Sequence, residues 1–254
     1  MTSLLRAVLV FAGLCLVWQG FVAVTGIAPY LLPPPSRVFA ALVERADFLL
    51  PQALLTLAEI VLGMIFGVLL GCLSALALAS FAPARRWLLP VLVVSQAIPV
   101  FALAPLLVLW FGYGMASKVA AAVIIIYFPV TSAFYDGLRQ TERGWLDLAR
   151  VMGATPRREL LLLRVPAALP GFASGLRVAA AVAPIGAIIG EWVGASAGLG
   201  YVMLQANARM QIDVMFAALL VLALMAVALY YAIDAALRHF IPWLPESLTA
   251  SSKE

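Results

Sequence analysis

The chain has 254 residues, of which 65% are hydrophobic and 11% charged, whereas soluble domains average roughly 45–50% and roughly 25%. Sixteen Lys/Arg and twelve Asp/Glu are too few to solvate a globule of this size, which sets aside a soluble fold, a disordered chain and a disulfide scaffold. The chain reads as an integral membrane protein, and its net charge of +4 records membrane topology rather than nucleic-acid binding.

Crossing a bilayer takes about 20 apolar residues. Long apolar runs with few or no charges predict six spans, over residues 6–25, 52–82, 87–111, 118–136, 170–190 and 214–234. The first contains an 18-residue apolar run without a cleavage site after it, longer than the roughly 7–15 residues of a signal-peptide core, and reads as a retained anchor. Gly112 and Gly114 break the helix after the third. Arg177 is the one charge in the fifth and is expected to snorkel to the inner interface. The expected fold class is therefore all-α: one polytopic transmembrane domain over residues 1–254. With the N-terminus inside, twelve Lys/Arg (Lys253 among them) fall on inner segments and four on outer ones, which predicts that both termini are cytoplasmic.

The outer segment 30–37 (YLLPPPSR) carries three consecutive prolines that cannot be helical, and residues 38–49 are expected to return as a short helix on the surface. The outer segment 191–213 is first glycine-rich, then polar through Gln205, Asn207 and Arg209. Cys15 and Cys72 lie in apolar runs without metal-ligand spacing and read as packing residues. His239, the single histidine, sits just past the last span as an interfacial residue. No metal site is expected.

The inner segment 136–164 differs in kind, with ten charges in 29 residues. Trp145, Leu148, Ala149 and Met152 fall at i, i+3, i+4 and i+7, one apolar stripe on a helix, opposite Arg143, Asp147 and Arg150. Thr141 suits the N-cap and Gly153 the residue after the C-cap. A second helix starts with Thr155 as cap and Pro156 in the first position, and is expected to end near Val165-Pro166. Such an amphipathic corner suits docking into a partner's groove; periodicity equally admits a helix lying on the membrane surface.

Asp147-Leu148-Ala149, three residues, Gly153, nine residues and Leu163-Arg-Val-Pro166 are similar to the EAA signature of ABC-importer permease subunits. Asp147 replaces its Glu and Leu148 its first Ala. The resemblance extends over nearly the whole chain. Leu31-Leu-Pro-Pro-Pro-Ser36 and Gln96-Ala-Ile-Pro-Val-Phe-Ala-Leu-Ala-Pro105, with Trp110-Phe-Gly112 after it, resemble the nitrate, sulfonate and taurine branch. Ser95–Phe101, Gly186–Trp192 and Gly198–Met203 look most like permeases for hydroxymethylpyrimidine, the thiamin precursor. Glu59 stands where many relatives carry Arg.

The resemblance implies a type I importer permease in the bacterial inner membrane, not an enzyme and without a cofactor of its own. ATP and Mg would be bound by a separate cytoplasmic ATPase dimer, in keeping with the absence of a GxxxxGK[ST] phosphate loop from this sequence. Solute would come from an extracytoplasmic binding protein. Two copies of the chain would pair within membrane lipid, each presenting Trp145, Asp147, Leu148, Ala149, Arg150, Met152, Gly153 and Ala154, with Pro166 beyond, to one ATPase subunit; no nucleic acid is involved. Candidate pathway residues are Glu59, a charge inside a span, the amide Gln96, its neighbour Phe101, and Glu191 at the outer end of the fifth span. Interhelical bonding of Gln96, plain packing of Phe101 and a water-boundary role for Glu191 are the competing readings. The expected solute is hydroxymethylpyrimidine or a related precursor; a sulfonate, taurine, nitrate or riboflavin-like solute is the alternative. An intramembrane enzyme would need paired aspartates or a histidine at membrane depth, and a secondary transporter would show related halves; neither pattern is evident.

Overall fold

A computed structural model describes residues 3–243, and every regular element among them is helical. The placement of both termini, and of Lys253, lies outside the described residues. Helix α1 (Ser3–Thr25) ends at Gly26, whose φ of +64° turns the chain. Pro33 and Pro34 stay outside any helix, but Pro35 opens α2 (Pro35–Glu44) at its first position, where a missing amide costs nothing. The outer segment is thus less extended than three prolines imply, and α2 buries Pro35, Val38 and Ala41 along one side.

After Arg45, α3 (Ala46–Ser80) runs for 35 residues, about 50 Å at 1.5 Å per residue and well beyond the roughly 30 Å hydrocarbon layer. It starts six residues before the expected 52–82 span, with Pro51 inside. The third predicted span is not one helix. Helix α4 (Ala82–Ser95) and α5 (Val100–Phe111) meet at 107° across Gln96-Ala-Ile-Pro99. Pro99 lacks an amide and forces the residue before it out of the α region, so the helix breaks instead of bending. Gly112, at φ +78°, closes α5, and α6 (Met115–Arg139) follows.

Helix α7 (Arg143–Val151) begins one residue later than its expected cap allows. Glu142 is the N-cap, while Thr141 Oγ1 donates to Leu138 O at the end of α6. Past α8 (Pro156–Glu159) the chain does not stop at Pro166. A π turn (Leu160–Arg164) carries it directly into α9 (Val165–Gly194), the wider turn absorbing the proline's missing amide and ring. Then come α10 (Leu199–Ala208) and α11 (Ile212–Phe240).

Among the described residues four helices are long and apolar enough to cross a membrane, Ala46–Ser80, Met115–Arg139, Pro156–Gly194 and Ile212–Phe240, with the α4–α5 pair as a broken fifth. Helix α6 lies at the centre, between α3 and α9. Small residues allow the close approach: a Cβ on Gly186 of α9 would come within 2.6 Å of Ala122 Cα, and one on Gly63 of α3 within 2.5 Å of Ala122 Cβ. Ile60, Ile126, Val130, Ala179 and Ala183 fill the seam. Arg177 is paired, which the sequence did not show: its Nε donates to Asp234 on α11 at 2.6 Å, and Asp234 also accepts from Arg238.

Candidate functional site

At the α10 end of the bundle, polar groups are buried and bonded to one another. Glu59 (α3), Lys118 (α6) and Glu191 (α9) are at most 5% exposed, and Lys118 Nζ lies 3.3 Å from Glu59 Oε1. Thr56 Oγ1 donates to Glu191 Oε1 at 2.6 Å and accepts from Leu199 N at 2.9 Å. Glu191 Oε2 accepts from Gly200 N and Tyr201 N, and Gln52 Oε1 from Gly198 N at 2.7 Å. The first amides of α10, which no intrahelical carbonyl can satisfy, are therefore held by side chains of α3 and α9, and the Glu191 carboxylate sits at the positive end of the α10 dipole. Gly198 has φ +107°, and a Cβ there would run into the Glu191 carboxylate. Sequence reasoning singled out Glu59 and Glu191, as pathway candidates, but missed Thr56 and Gln52, and took Lys118 only as one of the four outer Lys/Arg. The available signal was isolation: Lys118 is the sole charge between Arg86 and Asp136, and a lone charge at membrane depth implies a buried partner.

Toward the α7 end the arrangement reverses. A cavity of about 710 Å³ lies at the α4–α5 break, against α6 and α9, and is lined by Ser95, Gln96, Ser132, Asp136 and apolar side chains. Its α6 wall runs from Ile124 to Asp136, about 18 Å along the helix, so the opening occupies only the half of the bundle near α7. A second cavity, of about 530 Å³, shares Ala133, Asp136 and Ser174 with the first and continues past Gln140 and Glu142 to Trp145. Among the described residues the side chains of Gln96, Ser132 and Ser174 make no hydrogen bond, and Asp136 makes no ion pair. Of the four pathway candidates only Gln96 lines this space. Glu59 and Glu191 belong to the buried network, and Phe101 stands exposed on the first turn of α5.

Beyond the second cavity the corner is tightly specified. Gly153, at φ +79°, follows the C-cap of α7; Ala154 N donates to Ala149 O and Gly153 N to Arg150 O, each at 2.9 Å, the Schellman pattern that only a left-handed residue closes. Thr155 caps α8, accepting from Arg158 N. Arg150 bridges Asp147 at 3.1 Å and Glu159 at 3.2 Å, fixing α7 against the next helix. Leu146 packs inward, whereas Trp145, Leu148, Val151 and Met152 are 61–86% exposed. Pro166 lies in the first turn of α9, away from this surface. Apolar side chains held open on a rigid corner form a surface built for something outside the chain.

The family described as binding-protein-dependent transport system inner membrane component matches residues 67–245. A Haemophilus influenzae protein named a probable ABC transporter permease is 56% identical over 239 residues, covering 94% of this chain and 97% of its own. The formylaminopyrimidine transport permease protein ThiX of Halalkalibacterium halodurans is 39% identical over 240 residues, covering 94% of this chain and 96% of its own. In fold, the chain resembles a chain of the MetNI methionine ABC transporter solved in an inward-facing form, with a TM-score of 0.68 and 21% identity, over 77% of this chain and 97% of that one.

Proposed function

The chain belongs to the family of binding-protein-dependent transport inner membrane components and is the multi-pass permease subunit of an ABC importer; from that premise we propose that two copies pair around the α4–α5 cavity and pass hydroxymethylpyrimidine or a related thiamin precursor. The observation that carries this reading is the polarity of the bundle: bonded and closed at the α10 end, hollow with unpaired polar groups toward α7. The α7 half then faces the cytoplasm, and the cavity from Gln96 to Asp136 is the inner half of the pathway. An amide and hydroxyls among apolar walls suit an uncharged heterocycle, which needs a few hydrogen bonds and an apolar surface for its ring.

Trp145, Leu148, Ala149 and Met152 enter a groove on the ATPase subunit, with Gly153 and the Asp147–Arg150–Glu159 bridge holding the angle. ATP and Mg bind that partner, and closure of its dimer moves the docked corners and switches the pathway. Glu59, Lys118 and Glu191 close the outer end, and an extracytoplasmic protein delivers the solute there. The similarity to a relative named for formylaminopyrimidine supports the solute assignment.

Calorimetry on the partner binding protein tests the solute. Binding of aminopyrimidines in preference to organosulfonates is expected; binding of organosulfonates alone overturns the pyrimidine assignment and leaves the permease role standing.

A further inference from the structure

The Lys/Arg excess of this chain is absent from the two joined cavities, although a smaller one at the Gly153 corner is lined by Arg158. Of the residues lining the two joined spaces, the charged ones are Asp136 and Glu142, with no Lys, Arg or His among them. This contrasts with the segments around them, where Arg139, Arg143 and Arg150 stand close by in sequence. Arg139 turns its guanidinium over the Tyr135 ring, 5.5 Å from its centroid, and Arg150 is engaged by Asp147 and Glu159. Asp136 has neither kind of partner among the described residues and belongs to both linings, where the two spaces meet.

We propose that Asp136 is a specificity-determining residue: its unpaired carboxylate, common to the linings of the two cavities, makes the inner pathway a passage for uncharged or cationic solutes and opposes anions. The proposal rests on the reading of these cavities as the solute pathway. Asp136 is exposed to this space, so its field is screened beyond about 10 Å at 0.1 M salt but acts on a solute passing beside it, and its sign biases what enters. Pairing of two copies places two such carboxylates around one pathway, doubling the bias. Sulfonates and nitrate, negatively charged throughout the physiological range, are disfavoured; aminopyrimidines are not.

Ser132 reads this field directly, because it lies one turn from Asp136 on the same face of α6, about 5–6 Å away. The experiment uses the whole importer in inverted membrane vesicles, with Cys15→Ala and Cys72→Ala removing the native thiols and Ser132→Cys added. The rates of labelling by a cationic and an anionic methanethiosulfonate reagent are compared, and their ratio is normalised to that for a free thiol. A ratio favouring the cation is expected, falling about tenfold in Asp136→Asn and restored in Asp136→Glu. A thiol that reacts with a ratio indifferent to Asp136→Asn overturns the charge filter while leaving the pathway reading intact. A thiol that reacts with neither reagent shows that no water reaches the cavity, and overturns both.

Discussion

The two halves of the bundle use polar residues in opposite ways. At the α10 end, Thr56, Lys118, Glu191 and the first amides of α10 find partners within the chain, and water is excluded. Toward α7, Gln96, Ser132, Ser174 and Asp136 have none among the described residues and face open space. Similar residue types therefore hold the fold together in one half and are left unbonded beside open space in the other, which is where the proposed pathway runs. On that proposal, unspent hydrogen-bonding capacity beside a cavity, rather than burial, marks a transport residue.

Substitutions separate the halves by stability against uptake. The largest loss of stability is expected for Lys118→Met, which leaves Glu59 buried without its counter-ion; removing one member of a buried pair costs about 3–5 kcal/mol, read as a lower melting temperature in detergent, with part regained in the Lys118→Met, Glu59→Gln double variant. Thr56→Val keeps the shape but strands Leu199 N and withdraws a donor from Glu191; about 1–3 kcal/mol is expected by the same assay. Thr155→Ala, which removes the cap of α8 at the corner, should cost about 1 kcal/mol. The smallest effect on stability belongs to the cavity: Ser132→Ala with Ser174→Ala should stay within about 0.5 kcal/mol of the parent yet raise the KM for uptake. Equal destabilisation by the cavity and network variants would erase the distinction.

Crossing segments such as α3 and α11 were legible because a bilayer imposes a length and a composition on each helix separately, so the charge-free runs 60–84 and 214–233 reveal them without knowledge of their neighbours. The break at Gln96–Pro99 was not legible, since the run is apolar on both sides and a proline either kinks or ends a helix according to what packs against it. The continuation through Pro166 was hidden for a related reason: a π turn takes up the mismatch. The partnership of Lys118 with Glu59 joins different helices, as does that of Arg177 with Asp234, and helix periodicity carries no information across spans. The corner at Gly153 was readable in advance, because helix stop and start signals act within a few residues. Its cap at Thr141 was misplaced by one position.

The central claim, that this corner joins the permease to an ATPase, is tested most directly by recovering the ATPase subunit with affinity-tagged permease from detergent-solubilised membranes, for the parent, Trp145→Asp and Gly153→Val. Trp145 is 61% exposed and a Cβ on Gly153 meets nothing within 4 Å, so Trp145→Asp leaves the fold intact and Gly153→Val disturbs only the corner, by roughly 1–2 kcal/mol of left-handed strain. Loss of the ATPase from both variants, with normal melting for Trp145→Asp, a slightly lowered melting temperature for Gly153→Val and no uptake with either, is the predicted result. Undiminished recovery of the ATPase with both would contradict it.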